Sequence, residues 1–293
     1  MKPSPVLACL ALLCCLIPEL PAEPRIAALS WEPTEHLLQL GITPLTVADA
    51  QDYRDWVVQP ALPPHVPNAG TRTEPNLELL AQLRPELILI TPLLEDIRGS
   101  LERIAPVLSY GDFTQREDNL QLQRRNFLHL AAHLQRSELA EQRLRHMEQR
   151  IADLRQQLLE HFGGELPKVT LIRFASPTHV QIFGPNSLPQ HAMDLLGLQP
   201  AQPVALSRWG NIQAPVTQLG TLEDGVVIYI EPFAQQERLF NTRLWQAMPF
   251  VRQQRLAGMR ATWTHGGVFS TQYLAEAISE ALLSTPGAGT LAP

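Results

Sequence analysis

The longest unbroken pattern in the chain runs from Ser137 to Phe162, where Ala140, Leu144, Met147, Ile151, Leu154 and Leu158 recur at alternating steps of four and three. That spacing places all six on one stripe of a helix whose other faces are mostly polar. Ser137 is the expected N-cap, Glu138 and Glu141 lie where the helix dipole favours negative charge, and Gly163-Gly164 end the pattern. At about 1.5 Å per residue the helix would run roughly 39 Å, longer than most small domains are wide. In mid-chain it can serve as a rigid strut between two lobes. A homodimeric coiled coil is the other use of such a stripe, but only about three heptads are present and both flanks are patterned as globular chain.

Before the strut, Arg25 to Leu29 predicts a short strand, Pro33 to Leu40 a helix closed by Gly41, and Pro44 to Ala48 a second strand. Gln51 to Thr71 is irregular and carries Tyr53, Trp56, Pro60, Pro63, Pro64 and Pro67. Thr73 is placed to cap a helix through Leu83, Pro85 to Thr91 is a buried strand, and a helix from about Gln115 to Leu134 leads into the strut. The same alternation returns afterwards: strand Lys168 to Phe174, helix Leu188 to Leu196 closed by Gly197, and strand Val226 to Ile230. A helix near Thr242 to Ala247, strand Arg255 to Met259 and helix Thr271 to Leu283 follow. Leu37 to Pro44 parallels Met193 to Pro200, and Leu83 to Ile90 parallels Leu222 to Ile230. Strands alternating with helices on both sides of a long helix predict an α/β protein of two related lobes with mainly parallel sheets. The domain division is residues 1–22 as a leader, 23–136 as the first lobe, 137–162 as the strut, 163–284 as the second lobe, and 285–293 as a disordered tail.

Composition narrows the chemistry. The 293 residues suffice for two domains, and a formal charge of −6 argues against a nucleic-acid partner. All three cysteines, Cys9, Cys14 and Cys15, precede residue 23, so the remainder has no thiol for disulfides, zinc-cysteine sites, iron-sulfur clusters or nucleophilic catalysis. Lys2, the apolar run Val6 to Ile17, and Pro18 to Ala22 form an export signal with cleavage expected after Ala22. Cys9 lies in a weak lipoprotein-like context, with a short apolar core before it, so lipid anchoring is the lesser expectation. No nucleophile elbow, P-loop or dinucleotide-binding glycine motif is present. His129 and His133 have metal-ligand spacing on a helix, but Leu130-Ala-Ala between them lacks a glutamate, so a solvated helix face is the plainer reading.

Trp56, Trp209 and Trp263 fall in loops or strand ends of both lobes, with Arg72 just before a helix and Arg208 beside Trp209. Each alone is ordinary packing; together they fit a cleft at the carboxyl ends of the strands. Their rings suit a bulky apolar ligand, and the Arg72 fork suits oxygens with delocalised negative charge.

Arg25-Ile-Ala-Ala-Leu-Ser-Trp31, Tyr53-Arg-Asp-Trp56, Gly70-Thr-Arg72-Thr-Glu-Pro-Asn-Leu-Glu-Leu-Leu80, Phe183-Gly-Pro-Asn-Ser-Leu188 and Leu244-Trp-Gln-Ala-Met-Pro-Phe-Val-Arg252 resemble the periplasmic ferric hydroxamate siderophore-binding proteins, the FhuD type. The resemblance runs from about Arg25 to Leu283. It implies two α/β lobes joined by one long rigid helix, the class III or helical-backbone metal receptor type of periplasmic binding protein. It implies a ferric siderophore held in a shallow aromatic cleft and delivered to an inner-membrane ABC permease. The protein would be an exported monomer, with no catalytic role and no cofactor. The siderophore itself coordinates the iron, so no protein-metal bond is expected. By position Arg72 corresponds to the arginine that donates to the iron-bound hydroxamate oxygens, and Trp56, Trp209 and Trp263 to cleft aromatics. Asn211, His265 and Arg173 complete the expected ligand-binding set.

There are departures from the family. Pro92-Leu-Leu-Glu-Asp offers no aromatic where the family has a tyrosine, Thr264 and His265 stand where it has two more aromatics, and Arg173 and Arg208 add charge where it is neutral. The expected consequence is a more anionic ligand, such as a citrate-containing hydroxamate. Permease docking in related proteins uses one acidic residue per lobe; Glu78 matches the first, while the second falls near neutral Thr217, leaving Glu223 as the nearest acid. Haem, cobalamin or ferric citrate are alternatives on the same architecture, and an exported metal-dependent enzyme using His129 and His133 is a remoter one.

Overall fold

The computed structural model describes residues 23–110 and 119–287. The leader at 1–22, the first residues expected in the helix from Gln115, and the tail from 288 lie outside them. The first sheet has the order β2-β1-β3-β4, all parallel, from β1 (Ile26–Ala28), β2 (Thr46–Val47), β3 (Leu87–Ile90) and β4 (Val107–Ser109). Helix α1 (Trp31–Gln39) follows β1, and its exit is closed by Gly41 in the left-handed region at φ +71°. Two local expectations are corrected. The stretch expected to be irregular opens with a helical turn, Ala50–Asp52, which runs into a π-helical turn, Tyr53–Val57. Arg54 pins that turn to the carbonyls of Pro63 at 2.9 Å and Val66 at 3.0 Å. Helix α2 (Leu77–Leu83) is capped by Asn76, which accepts from the Leu79 N–H at 2.9 Å, and not by Thr73. An isolated bridge between Gly70 and Pro75 holds the chain non-helical to that point.

Helix α3 (Asn119–His133) leads to the strut, α4 (Ser137–His161), whose buried residues are the six predicted from spacing. At about 1.5 Å per residue it is roughly 38 Å long. Ser137 is not its cap: Arg136 occupies that position without a side-chain cap, because Gln135 turns the chain at φ +56° directly into the helix. The apolar stripe packs within the chain, against α3, α5 (Leu188–Leu196) and the last helix, α6 (Ser270–Leu283), which leaves no seam for a coiled-coil partner. Arg150 on the strut also pairs with Glu276 on α6 at 3.1 Å.

The second sheet has the order β7-β6-β5-β8-β9, from β5 (Val169–Phe174), β6 (His179–Phe183), β7 (Asn211–Pro215), β8 (Val226–Ile230) and β9 (Leu256–Met259). β5, β8 and β9 are parallel, and β6 runs antiparallel to β5 and β7. The repeated phrases occupy equivalent places. Leu198 to Pro200 returns to the base of β5 as a single parallel bridge, Val169 to Pro200, just as β2 lies beside β1. β6 pairs along the same edge of β5 higher up, so the counterpart of β2 is reduced to that bridge.

Residues alternate between the faces of each sheet. Ile26, Ala28, Leu87 and Leu89 of the first and Val169, Leu171, Val226 and Ile228 of the second enter one continuous core with the stripe of the strut. Outer faces pack separately, Ala27, Ile88 and Ile90 in one cluster and Ile172, Val227 and Tyr229 in another. The lobes therefore share a core beyond the single helix that links them in sequence. A polar latch adds to it. Glu35 on α1 accepts from the backbone N–H groups of Gly267 at 3.2 Å, Phe269 at 2.8 Å and Ser270 at 3.1 Å, and from the Ser270 hydroxyl. Any side chain on Gly267 would collide with His36 and Glu35, so glycine is required for this approach. Thr285, expected in the disordered tail, is buried and its carbonyl meets His161 Nε2 at 3.0 Å.

Candidate functional site

On the first lobe the site is built around Arg72. Asp49 follows β2 in the left-handed region at φ +49°, a conformation that a short polar side chain tolerates. Its Oδ2 accepts from both the Arg72 backbone N–H at 3.1 Å and Nε at 3.0 Å. Gly70 makes the return turn possible: at φ +95° its hydrogen faces the Glu74 carbonyl, where a Cβ would come within 2.8 Å. The guanidinium lies over the Trp31 ring, 3.6 Å from its centroid. Trp31 is 3% exposed and is fixed by its indole N–H donating to the Ala48 carbonyl at 3.2 Å. With Nε held by Asp49 and one face covered by Trp31, no hydrogen bond among the described residues uses the terminal nitrogens of Arg72. These two N–H₂ groups form a preset donor fork.

The second lobe meets this cradle through Trp263. Its ring packs edge-on against Trp31 at 4.7 Å, so the two lobes touch at a pair of indoles. His265 lies 5.8 Å from Trp263, with its Nδ1 3.0 Å from the Thr264 hydroxyl and its ring also hydrogen-bonded to the backbone of Trp209. Burial, with the Arg173 charge beside it, holds the His265 imidazole down at about 4, so it is neutral at ordinary pH. Arg173, next to last in β5, gives one long hydrogen bond, 3.4 Å, to the Thr262 carbonyl.

Trp209 stands 53% exposed with Arg208 5.3 Å from its ring. Its loop is propped from behind. Asn211 donates to the Trp209 carbonyl at 3.1 Å, Ser207 donates to the Asn211 carbonyl at 2.8 Å, and Asn186 donates to the Ser207 carbonyl at 2.7 Å. Asn119 on α3 in turn holds the Asn186 carbonyl at 2.7 Å. The Phe183 to Leu188 phrase is thus a support for the Trp209 loop, and Ser187 within it also caps α5.

The structure joins Arg72, Trp263, His265, Trp209, Asn211 and Arg173 into one connected surface. Trp56 stands 51% exposed on the π-helical turn, and no ring contact among the described residues joins it to the Trp31–Trp263 pair. Val58 just beyond adopts φ +65°, a strained conformation for a β-branched residue. Trp31 and Asp49 are the residues that sequence reasoning missed. The Leu244 to Arg252 motif is anchored in the core by Trp245, Met248 and Phe250, with Trp245 1% exposed and stacked on Phe240 at 4.7 Å. Glu78 and Glu223 are both exposed, the former in the first turn of α2. His129 and His133 are exposed on α3, and among the described residues no group of three or more His, Cys, Asp or Glu could hold a metal ion. No described helix is long and apolar enough to cross a membrane.

Two α/β lobes clamped on a shared core, meeting at paired tryptophans beside a preset cationic fork, define a two-lobed ligand-binding protein. The chain belongs to the periplasmic binding protein family, whose pattern matches residues 26–262. It is 34% identical over 260 residues to the iron(3+)-hydroxamate-binding protein FhuD of Escherichia coli K12, covering 88% of this chain and 86% of that one. It is 27% identical over 273 residues to the achromobactin-binding periplasmic protein of Dickeya dadantii, covering 87% and 85%. Among solved structures, the siderophore-binding protein FhuD of Vibrio cholerae with ferric Desferal bound superposes with a TM-score of 0.86 at 39% identity, over 90% of this chain and all of that one.

Proposed function

We propose that this protein is the substrate-binding component of an iron-siderophore ABC importer and captures a ferric hydroxamate-type siderophore in the cleft. The observation that carries this reading is the Arg72 fork, fixed by Asp49 and Trp31 with both terminal nitrogens uncommitted beside the Trp31–Trp263 junction. Hydroxamate oxygens bound to iron(III) keep part of their negative charge, and a planar cation with parallel donors complements them. The siderophore supplies every iron ligand, and the protein supplies the fork, the ring faces and the exposed Trp209 lip. The names of the Escherichia coli and Vibrio cholerae relatives support hydroxamate over other iron chelates. On this reading residues 1–22 direct export to the periplasm, and Glu78 and Glu223 meet the permease, one on each lobe.

The test is a fluorescence titration of the mature protein with ferric hydroxamates, haem, cobalamin and ferric citrate. Coloured ferric hydroxamates are expected to quench the cleft tryptophans with a saturating curve. Saturation by haem or cobalamin and none by any ferric hydroxamate would overturn the proposal.

A further inference from the structure

Val169, Leu171 and Arg173 share one face of β5, and the first two enter the core common to both lobes. Arg173 is the top of that row, where the face leaves the core beside the Thr262 to His265 segment that carries Trp263. Among the described residues it has no carboxylate partner. Among the described residues its one hydrogen bond is the 3.4 Å contact to Thr262, which leaves most of a five-donor fork unused there. The other inward arginines each have a carboxylate or at least two carbonyl partners. Arg72 has Asp49 at 3.0 Å. Arg54 reaches the carbonyls of Ala50, Pro63 and Val66, and Arg255 those of Gly225 and Glu223. A partly desolvated, unneutralised guanidinium is costly unless an anion arrives to pair with it.

The charge balance across the cleft is therefore lopsided. The first-lobe cation is compensated before any ligand enters, and the excess positive charge sits on the second-lobe wall. We propose that Arg173 forms an anion subsite there, and that the natural siderophore carries an ionised carboxylate outside its iron-binding oxygens. His265 and Arg208 flank this subsite: His265 is neutral, with its ring already bonded to the Thr264 hydroxyl and the Trp209 backbone, and Arg208 is an exposed second cation. This inference rests on the siderophore reading above and adds the ligand's charge to it.

The test titrates the mature protein with two probes, a neutral ferric trihydroxamate complex and a ferric dihydroxamate complex built on citrate. Wild type is expected to bind the citrate-based complex about ten-fold more tightly, the range of one charged hydrogen-bonded contact. Arg173→Gln should weaken the citrate-based complex about ten-fold more than the neutral one, and Arg173→Lys should keep part of the preference. Equal wild-type affinities, or equal weakening of both complexes by Arg173→Gln, would overturn the anion subsite and leave the siderophore reading standing. Wild-type binding of neither complex would overturn both. A second measurement needs no variant: added sodium chloride should weaken the citrate-based complex much more than the neutral one. Parallel salt curves would overturn the subsite.

Discussion

Asp49 holds Arg72 at two points, the backbone N–H at 3.1 Å and Nε at 3.0 Å, so the arginine's position and the aim of its fork are set by one carboxylate. Arg72→Ala should weaken ferric hydroxamate binding by about 1 to 3 kcal/mol, as expected for losing a charged donor. Asp49→Ala leaves the fork but frees its orientation, and should cost a smaller part of that. Fluorescence titration checks both, and unchanged affinity in the two variants would remove this cradle from the site.

Two tryptophans separate binding from packing. Trp209, 53% exposed, should lose affinity when replaced by alanine while stability changes by no more than about 0.5 kcal/mol. Trp245, 1% exposed, should lose about 3 to 5 kcal/mol of stability on the same replacement. Urea unfolding beside ligand titration distinguishes them.

The latch predicts a pH dependence. Burial pushes the Glu35 carboxyl up from 4.5 to about 7, against the pull of Ser270 and the backbone donors of Phe269, Ser270 and Gly267. Between those two values the folded chain keeps a proton that the unfolded chain has released. The stability from this group is complete below pH 4.5 and is lost as pH rises through about 7. His36 acts oppositely: burial lowers it to about 3, so its contribution is lost as pH falls from 6.5 towards that value. The two slopes partly cancel in wild type. Glu35→Gln should therefore expose the His36 slope, making stability fall more steeply as pH drops from 6.5 to 4.5. Denaturant midpoints across that range check the prediction, and identical slopes in the two proteins would contradict it.

If Glu78 and Glu223 meet the permease, reversing Glu78 to arginine should stop uptake in cells while ligand affinity stays at the wild-type value. Unimpaired uptake by both Glu78→Arg and Glu223→Arg would move docking elsewhere.

Much of the fold was legible because its signals are local. The strut stripe is a spacing of six residues, and the helix ends at Gly41 and Gly197 each need only one residue able to adopt positive φ. β4, β6 and β7 were missed. Each is three to five residues long, and β6 and β7 are held by antiparallel pairing across the Trp209 loop rather than by a strong apolar run of their own. At the site, Arg72, Trp209 and Trp263 could be proposed from residue type and position. Trp31 read only as a residue between a strand and a helix, and nothing local shows that Asp49 adopts φ +49° to aim at a residue 23 positions on. Glu35 and His36 read as ordinary polar helix positions, since their partners lie more than 230 residues away.

The Glu35 latch and the shared core leave little room for the lobes to swing, and the strut contains no Pro, Gly or bulge at which to bend. A carrier clamped in this way presents nearly the same outline empty and full. The permease would then meet vacant and loaded copies alike, and vacant ones would occupy it unproductively. Import should accordingly follow the loaded fraction of the pool, and adding excess ligand-free protein to a reconstituted importer should slow it.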